Sequence, residues 1–179
     1  LQFLHPNRGK VAIEAIGVIP RYGGVVIHDC WASYLAYDHC GHGLCGSHLL
    51  RELAFIIDAN GYAWATNMKR LLQETCATVA KRKNKKLTRN EYKNLQKRYR
   101  NILTRGENEL PPIPPKQNGK KGKVAKSDAH NLWERLKKHE TAVLLFTKAS
   151  HVPFTNNRAE RDLRMSKVKQ KVSGCFRTK

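Results

Sequence analysis

The sequence predicts an α/β fold whose core is interrupted by a long, mainly helical insertion. The run VVIH at residues 25–28 is short, apolar and rich in β-branched side chains, which is typical of a buried strand. A glycine-rich segment at 41–46 then indicates a loop leading through a second short strand. Apolar residues at helical spacing dominate 49–150, and one more helix is expected after 151.

The first part of the chain contains one helix before the first strand and another after it. KVAIEAIGVI, at residues 10–19, places its apolar side chains on one helical face, and Pro20 is expected to stop that helix. Gly23 and Gly24 turn the chain into the first strand, which ends at Asp29. CWASYLAY follows as the first turns of a second helix.

The middle of the chain reads as a series of helices. Helices are predicted from His48, from about Tyr62 and from Ser127. Between them, TRNE at residues 88–91 is a capping-box pattern that starts a helix with a thin apolar stripe and a strongly basic outer face. Residues 110–127 combine prolines, glycines and lysines, so they are expected to be extended and mobile.

Composition indicates a polyanionic partner. The 179 residues include 34 Lys and Arg against 14 Asp and Glu, a formal net charge of +20, and nucleic acid is the usual partner of such an excess. No stretch approaches the run of about 18 apolar residues that a spanning helix needs. Five cysteines without a regular framework favour a reducing cytosol. Because the chain starts at Leu1, inside a plausible element, we expect it to be a piece of a longer protein.

Two carboxylates are candidates for chemistry, and each has a plainer interpretation. Asp29 lies at the end of the first strand, where functional groups of α/β sheets cluster, but it is equally suited to cap the helix that follows. Glu160 is a plain ion-pair partner for Arg164, one helical turn away. The adjacent Asn156 and Asn157 favour a functional role, since their amides can bond a phosphate or a metal-bound water, although they can also simply cap the helix.

Acidic residues within a basic surface suit phosphodiester chemistry. A pair of Mg²⁺ ions, or Mn²⁺, activates the attacking oxygen and stabilises the leaving one, and such ions need hard oxygen ligands. Carboxylates that converge at one sheet edge supply these ligands, while surrounding lysines and arginines hold the DNA backbone. Asp29 and Glu160 supply two carboxylates, one fewer than the usual set of metal ligands for this chemistry.

Four segments resemble the catalytic region of bacterial DDE transposases, with insertion-sequence family sixty-six as the best match. They are HDCWASY, CGSHLLREL, VPFTNNRAERDLR and KVSGCFRT, and their order fits along nearly the whole chain. NNRAER is the most specific of them. The resemblance implies an RNase H-like core, a helical insertion, DNA as the partner, and action as a homo-oligomer on paired transposon ends.

The resemblance also assigns residues and boundaries. Asp29 would be the second catalytic aspartate and Glu160 the catalytic glutamate, with both as metal ligands; the first aspartate would lie upstream. Residues 1–48 would form part of the core, 49–150 the insertion and 151–179 the last core helix. Cys30 departs from the glycine that relatives more often have. With one ligand missing, we expect this piece alone to cleave little or no DNA.

The remaining candidates are cysteines, histidines and basic residues. Cys45 and His48 form a C-x-x-H pair that the resemblance places beside the active site, whereas the plain interpretation is a buried cysteine and a capping histidine. The irregular spacing of the neighbouring cysteines and histidines argues against zinc. The candidate DNA-binding residues are Arg51, Arg158, Arg161, Arg164, Lys167, Lys169 and Lys171. If none of these sites is catalytic, the alternative is a basic nucleic-acid-binding module.

Overall fold

The computed structural model describes residues 3, 5–113, 124, 126–164, 168 and 171–172. The chain divides into two compact units, of which unit 1 comprises residues 1–45 and 155–179 and unit 2 comprises residues 46–154. The prediction of a mixed α/β protein is confirmed, and helices greatly outnumber strands in the described part. Lys167, Lys169 and most of the proline- and lysine-rich stretch at 110–127 lie outside the described residues.

Unit 1 holds both described strands, and unit 2 is helical. The elements of unit 1 are α1 (Lys10–Ile16), β1 (Val25–His28), α2 (Ala32–Leu35), β2 (Gly41–Leu44) and, late in the chain, α8 (Asn157–Asp162), with a short 3-10 turn at Ile19–Arg21. The elements of unit 2 are α3 (Gly46–Asn60), α4 (Ala63–Lys81), α5 (Arg89–Glu109), α6 (Asp128–Lys138) and α7 (Glu140–Leu144), followed by a 3-10 turn at Leu145–Thr147.

The sheet of unit 1 is a parallel pair. β1 and β2 pair in register from Val25 opposite Gly41 to His28 opposite Leu44. A small core of Ile13, Tyr37 and Cys40 packs beneath it, together with half-buried side chains that include Val26. Parallel pairing places the carboxyl ends of both strands at one edge, which is the edge where α/β proteins carry their functional groups.

The first helix is shorter than the sequence predicts. It ends at Ile16 because Gly17 adopts a left-handed conformation with φ of 70°, and its N–H closes the helix on the carbonyl of Ile13. Glycine tolerates this conformation without steric cost, so it ends helices efficiently. The apolar pattern continues beyond it to Ile19, which explains why periodicity alone overextends the helix.

The core of unit 2 is formed where α3, α4, α5 and α6 pack together. Trp64 and Tyr99 are the largest fully buried side chains, and the Tyr99 hydroxyl donates to the carbonyl of Leu136 at 2.9 Å. The indole N–H of Trp133 donates to the carbonyl of Leu103 at 2.8 Å. These bonds satisfy two polar groups within a largely apolar interior, as burial requires.

Helix ends in unit 2 follow local sequence signals. The predicted capping box is present: the Thr88 hydroxyl accepts from the N–H of Glu91, and the Glu91 carboxylate accepts from the N–H of Thr88. The helix predicted from Ser127 is broken into α6 and α7 at His139, whose φ and ψ of −111° and 29° are not helical. The two ends of unit 2 meet, since the N–H of Gly46 donates to the carbonyl of Phe154 at 2.7 Å.

Within the part of the chain that the structure describes, no helix is both long enough and apolar enough to cross a membrane.

Candidate functional site

Asp29 lies at the carboxyl edge of the strand pair in unit 1. It directly follows His28, the last residue of β1, and the opposite position on β2 is followed by Cys45, whose N–H donates to the carbonyl of His28 at 2.9 Å. The Asp29 side chain is exposed, and its Oδ1 accepts from the N–H of Trp31 at 3.3 Å. α2 starts only at Ala32, with Trp31 at its N-cap position, so Asp29 does not cap that helix.

Electrostatic effects also mark Asp29. Burial raises the pKa of the Tyr34 hydroxyl, and the negative charge of Asp29 raises it further. The Tyr34 ring lies beside that of His28, with centroids 5.2 Å apart. The charge of Asp29 therefore acts on Tyr34, and one of its carboxylate oxygens accepts from the backbone of the following turn.

Two histidines organise the loop that carries Asp29; the sequence analysis weighed His42 only among the irregularly spaced zinc candidates and did not consider His28. His42 Nε2 lies 2.8 Å from the carbonyl of Tyr37, which can only accept, so this nitrogen carries the proton and the other, Nδ1, is an acceptor. His28 Nε2 donates to that nitrogen at 3.1 Å, and His28 Nδ1 in turn accepts from the N–H of Cys30 at 3.1 Å. This series of hydrogen bonds assigns both tautomers and fixes the backbone beside Asp29.

Cys30 has an unusual backbone conformation for its residue type. Its φ is 69°, in the left-handed region that favours glycine. Relatives in the family that the motifs resemble more often have glycine at this position, and the left-handed backbone conformation gives a physical reason for that preference. The chain turns sharply between the end of β1 and α2, and the turn presents Asp29 at the sheet edge.

Cys45 connects the sheet edge to a distant segment of the same unit. Its thiol is 1% exposed and donates to Oδ1 of Asn156 at 2.9 Å, while the N–H of Asn156 approaches the sulfur at 3.5 Å. These residues are 111 positions apart in sequence. Asn156 occupies the N-cap position of α8, but its side chain makes no capping bond because the amide oxygen is used by Cys45.

Glu160 lies one helical turn beyond Asn156. Its N–H donates to the carbonyl of Asn156 at 3.3 Å, and its side chain is half-buried in the first turn of α8. A cavity of about 490 Å³ adjoins it. The described residues that line this cavity are Asn157, Glu160, Arg161, Arg164, Val168 and Lys171. This described part of the lining combines one carboxylate with three cationic side chains and is positively charged, which suits an anionic partner.

The structure assigns the other sequence-predicted residues as follows. Arg158 is exposed on α8, in the same unit as Asp29 and Glu160. His48 and Arg51 belong to α3 of unit 2, where Arg51 lines a cavity of about 660 Å³ with Phe55 and Arg135. Among the described residues, no three His, Cys, Asp or Glu side chains group closely enough to hold a metal ion.

The fold and this site define an α/β protein that gathers a carboxylate, a thiol–amide pair and a basic cavity in one unit. Comparison with protein families gives a more specific assignment: residues 2–179 match the model described as Transposase IS66 family. The chain belongs to that family, as its motifs predicted, and membership implies a DNA-processing enzyme. No curated protein and no solved structure was found to match the chain significantly.

Proposed function

We propose that the chain is the catalytic region of a DDE transposase with an RNase H-like core, which cuts and joins transposon-end DNA by metal-dependent phosphoryl transfer. In this proposal Asp29 and Glu160 are metal ligands, and Asn156, Asn157 and Cys45 support them. Family membership supports the class of reaction, and the arrangement of unit 1 supports the choice of residues.

The hydrogen bond between Cys45 and Asn156 is the observation that carries the proposal. Asp29 directly follows β1, and Cys45 directly follows β2. Because the last residues of the two strands, His28 and Leu44, are paired, Asp29 and Cys45 leave the sheet at the same edge. Asn156 contacts Cys45, and Glu160 follows one helical turn later. This series of contacts supports the proposal that the two acids, although far apart in sequence, serve one site.

The residues fit a hard divalent cation. Carboxylate oxygens are the ligands that Mg²⁺ and Mn²⁺ take, together with waters, and amide side chains such as that of Asn157 can orient those waters. When bound, such ions supply an activated attacking oxygen and stabilise the charge on the leaving oxygen. The proposal needs a third carboxylate, which the family pattern places on a strand upstream of Asp29.

The basic side chains around Glu160 have a distinct part in the proposal. Arg161, Arg164 and Lys171 line the cavity beside it, and Arg158 is exposed on the same helix. Guanidinium groups bind phosphate oxygens in a bidentate manner and orient the backbone without reading sequence. They would hold the DNA so that the scissile phosphate faces the carboxylates.

Substitution of the two carboxylates tests the proposal. We expect Asp29→Asn and Glu160→Gln, in a version extended upstream to include the third acid, to abolish Mg²⁺-dependent nicking of transposon-end duplexes while DNA binding is retained. Asp38→Asn is the matched control, because Asp38 is an exposed acid of the same unit. A non-catalytic binding module predicts instead that no reaction is lost in either variant, and that result would refute the proposal.

The chain of residues 1–179 provides a second measurement. Because two carboxylates are one ligand short, we expect purified 1–179 to show little or no metal-dependent nicking of DNA that contains the transposon ends. Nicking by 1–179 that disappears in Glu160→Gln would overturn the requirement for a third ligand while retaining the role of Glu160.

A further inference from the structure

The outer face of α5, in unit 2, has an unusual composition. The helix buries Leu95, Tyr99, Leu103 and Gly106 along one side. At about 100° per residue, the opposite side carries eight residues, all of them exposed. They are Asn90, Lys93, Asn94, Lys97, Asn101, Thr104, Arg105 and Asn108. We call this set the α5 outer face; it contains cations, amides and one hydroxyl, but neither a carboxylate nor an apolar side chain.

The carboxylates of α5 are engaged away from this face. Glu91 pairs with Arg82, and Glu107 lies 3.8 Å from the ammonium group of Lys137. Glu109 accepts from the N–H of Trp64 at 3.1 Å, where it caps the start of α4. None of these three acids belongs to the α5 outer face, although Glu109 lines the same cavity as Arg105.

Two cations on the flanks of α5 are paired, whereas those of the α5 outer face are not. Arg98 contacts Glu74 at 3.3 Å, and Arg100 contacts Glu140 at 2.8 Å. Within the described part of the chain, Lys93, Lys97 and Arg105 take part in no ion pair. Their charge is left to solvent or to a partner of opposite charge.

The asparagines are not explained by helix stability. Asparagine is a weaker helix former than alanine, glutamate, glutamine or lysine by several tenths of a kcal/mol at each position, roughly 0.5 kcal/mol. An exposed helix face that served only solubility would favour those stronger formers. Side-chain amides add hydrogen-bond donors without adding charge repulsion, and they are common partners of phosphate oxygens.

A cavity continues the face towards α4. It has a volume of about 420 Å³, and Asn101 and Arg105 belong to both the face and the cavity lining. Arg70 and Arg98 also line it, so three guanidinium groups surround the space, and Glu109 is the one acid among the described residues of its lining. The cavity is large enough for a phosphate group to enter between the arginines.

These observations define the chemistry of the occupant. A membrane-binding helix would need bulky apolar side chains on its exposed face, and the α5 outer face has none. Single-stranded nucleic acid is held largely by stacking on aromatic rings, which are also missing from this face. The 21 residues of α5 span about 31 Å, along which duplex DNA presents roughly 18 phosphate charges.

We propose that the α5 outer face, with the arginine-lined cavity it shares with α4, is a docking surface for the phosphate backbone of duplex DNA. The surface lies in unit 2 and uses none of the residues assigned to catalysis. It rests on the proposed function only in taking DNA as the polyanion. Since it contacts phosphates and not base edges, its binding is independent of sequence and strongly dependent on salt.

The test is a salt series with chain 1–179 and a fluorescent duplex of random sequence. Fluorescence anisotropy gives the dissociation constant at each salt concentration for the wild type and for the variant Lys93→Gln, Lys97→Gln, Arg105→Gln. Each lost phosphate contact reduces the magnitude of the negative slope of log K against log[salt] by about 0.9. We therefore expect the slope of the triple variant to be smaller in magnitude than that of the wild type by about 2 to 3. The control variant, Lys83→Gln, Lys138→Gln, Lys148→Gln, removes the same charge from exposed positions outside α5.

A second variant separates binding from folding. Changing Asn90, Asn94 and Asn101 to alanine raises helix propensity, so the melting temperature should rise or stay constant. Duplex affinity should fall by about threefold or more while the salt slope is retained, because donors are lost but no charge is removed. Weaker binding by a better-folded variant cannot be attributed to damage of the helix.

Each outcome decides the matter. Equal slopes for the α5 variant and its control, or unchanged affinity after the asparagine changes, would overturn the docking surface. Equal or tighter binding of single-stranded DNA through the same residues would overturn the assignment to duplex. Glu160→Gln is measured in parallel, and it should retain duplex binding because Glu160 does not belong to the docking surface. The catalytic proposal is tested by nicking and the docking surface by binding, so failure of one is distinguishable from failure of the other.

Discussion

The backbone conformation of Cys30 leads to a prediction of higher stability. With φ of 69°, the Cβ of this residue is crowded against its own backbone, which costs about 1–2 kcal/mol for a residue other than glycine. Glycine removes this cost but gives the unfolded chain more freedom, which offsets about 0.4–1 kcal/mol. We therefore expect Cys30→Gly to raise the free energy of unfolding by about 0.5–1 kcal/mol.

The size of this change suits thermal and denaturant unfolding. For a chain of this length, each kcal/mol shifts the melting temperature by roughly 2–4 °C, so the expected rise is about 1–4 °C. Circular dichroism in urea and on heating measures both quantities. The hydrogen bond that the backbone N–H of residue 30 donates to His28 Nδ1 does not involve the side chain of residue 30, so it is kept in the variant.

Cys30→Ala separates backbone strain from loss of the thiol. Alanine retains the Cβ and therefore the strain, so this variant should be no more stable than the wild type. If Cys30→Ala gains as much stability as Cys30→Gly, or if glycine destabilises the protein, the strain argument is wrong. The result bears on function because this residue sets the turn that presents Asp29.

Two further predictions concern unit 2. Hydrogen bonds from Arg82 and from Thr88 lower the pKa of Glu91 from 4.5 to about 2. The stabilising contribution of Glu91 is therefore complete above pH 4.5 and is lost as pH falls towards 2. Glu91→Gln keeps the capping box but does not titrate, so the loss of stability between pH 4.5 and 2, measured by acid unfolding, should be smaller in this variant. Gly106→Ala should destabilise by about 1–3 kcal/mol in urea unfolding, because a Cβ there would lie 2.7 Å from Cγ of Trp64. Gly23→Ala, with nothing within 4 Å of its added Cβ, is the control and should not destabilise; equal losses at both sites would refute the packing argument.

Local signals in the sequence were sufficient to predict most elements of unit 2. The capping box at Thr88 is written in four consecutive residues, and the helix that follows starts where it predicts. The break at His139 is not predicted by periodicity, because apolar residues continue at helical spacing on both sides of it. A single non-helical residue separates one helix from the next without changing the hydrophobic pattern.

The candidate site shows the same division between local and distant information. That Asp29 ends a strand follows from the apolar run before it, and that Asn156 starts a helix follows from the proline and polar residues around it. Their connection through Cys45 depends on a contact across 111 positions, which no local pattern reports. Sequence reasoning passed over His28 and weighed His42 only as a possible zinc ligand, because a histidine in a strand gives no sign of whether its ring joins a series of hydrogen bonds.

The meeting of Gly46 and Phe154 has a consequence for the order in which the protein folds. Closing a flexible segment of this length to join Cys45 and Asn156 costs about 4 kcal/mol of chain entropy. If the helical unit assembles first, its own hydrogen bond between Gly46 and Phe154 has already brought the two connections together, and most of that entropic cost has been met within the unit. The two segments of unit 1 can then join, through Cys45 and Asn156, almost as though they were consecutive in sequence. Early assembly of the helical unit would therefore favour the later contact between these two segments.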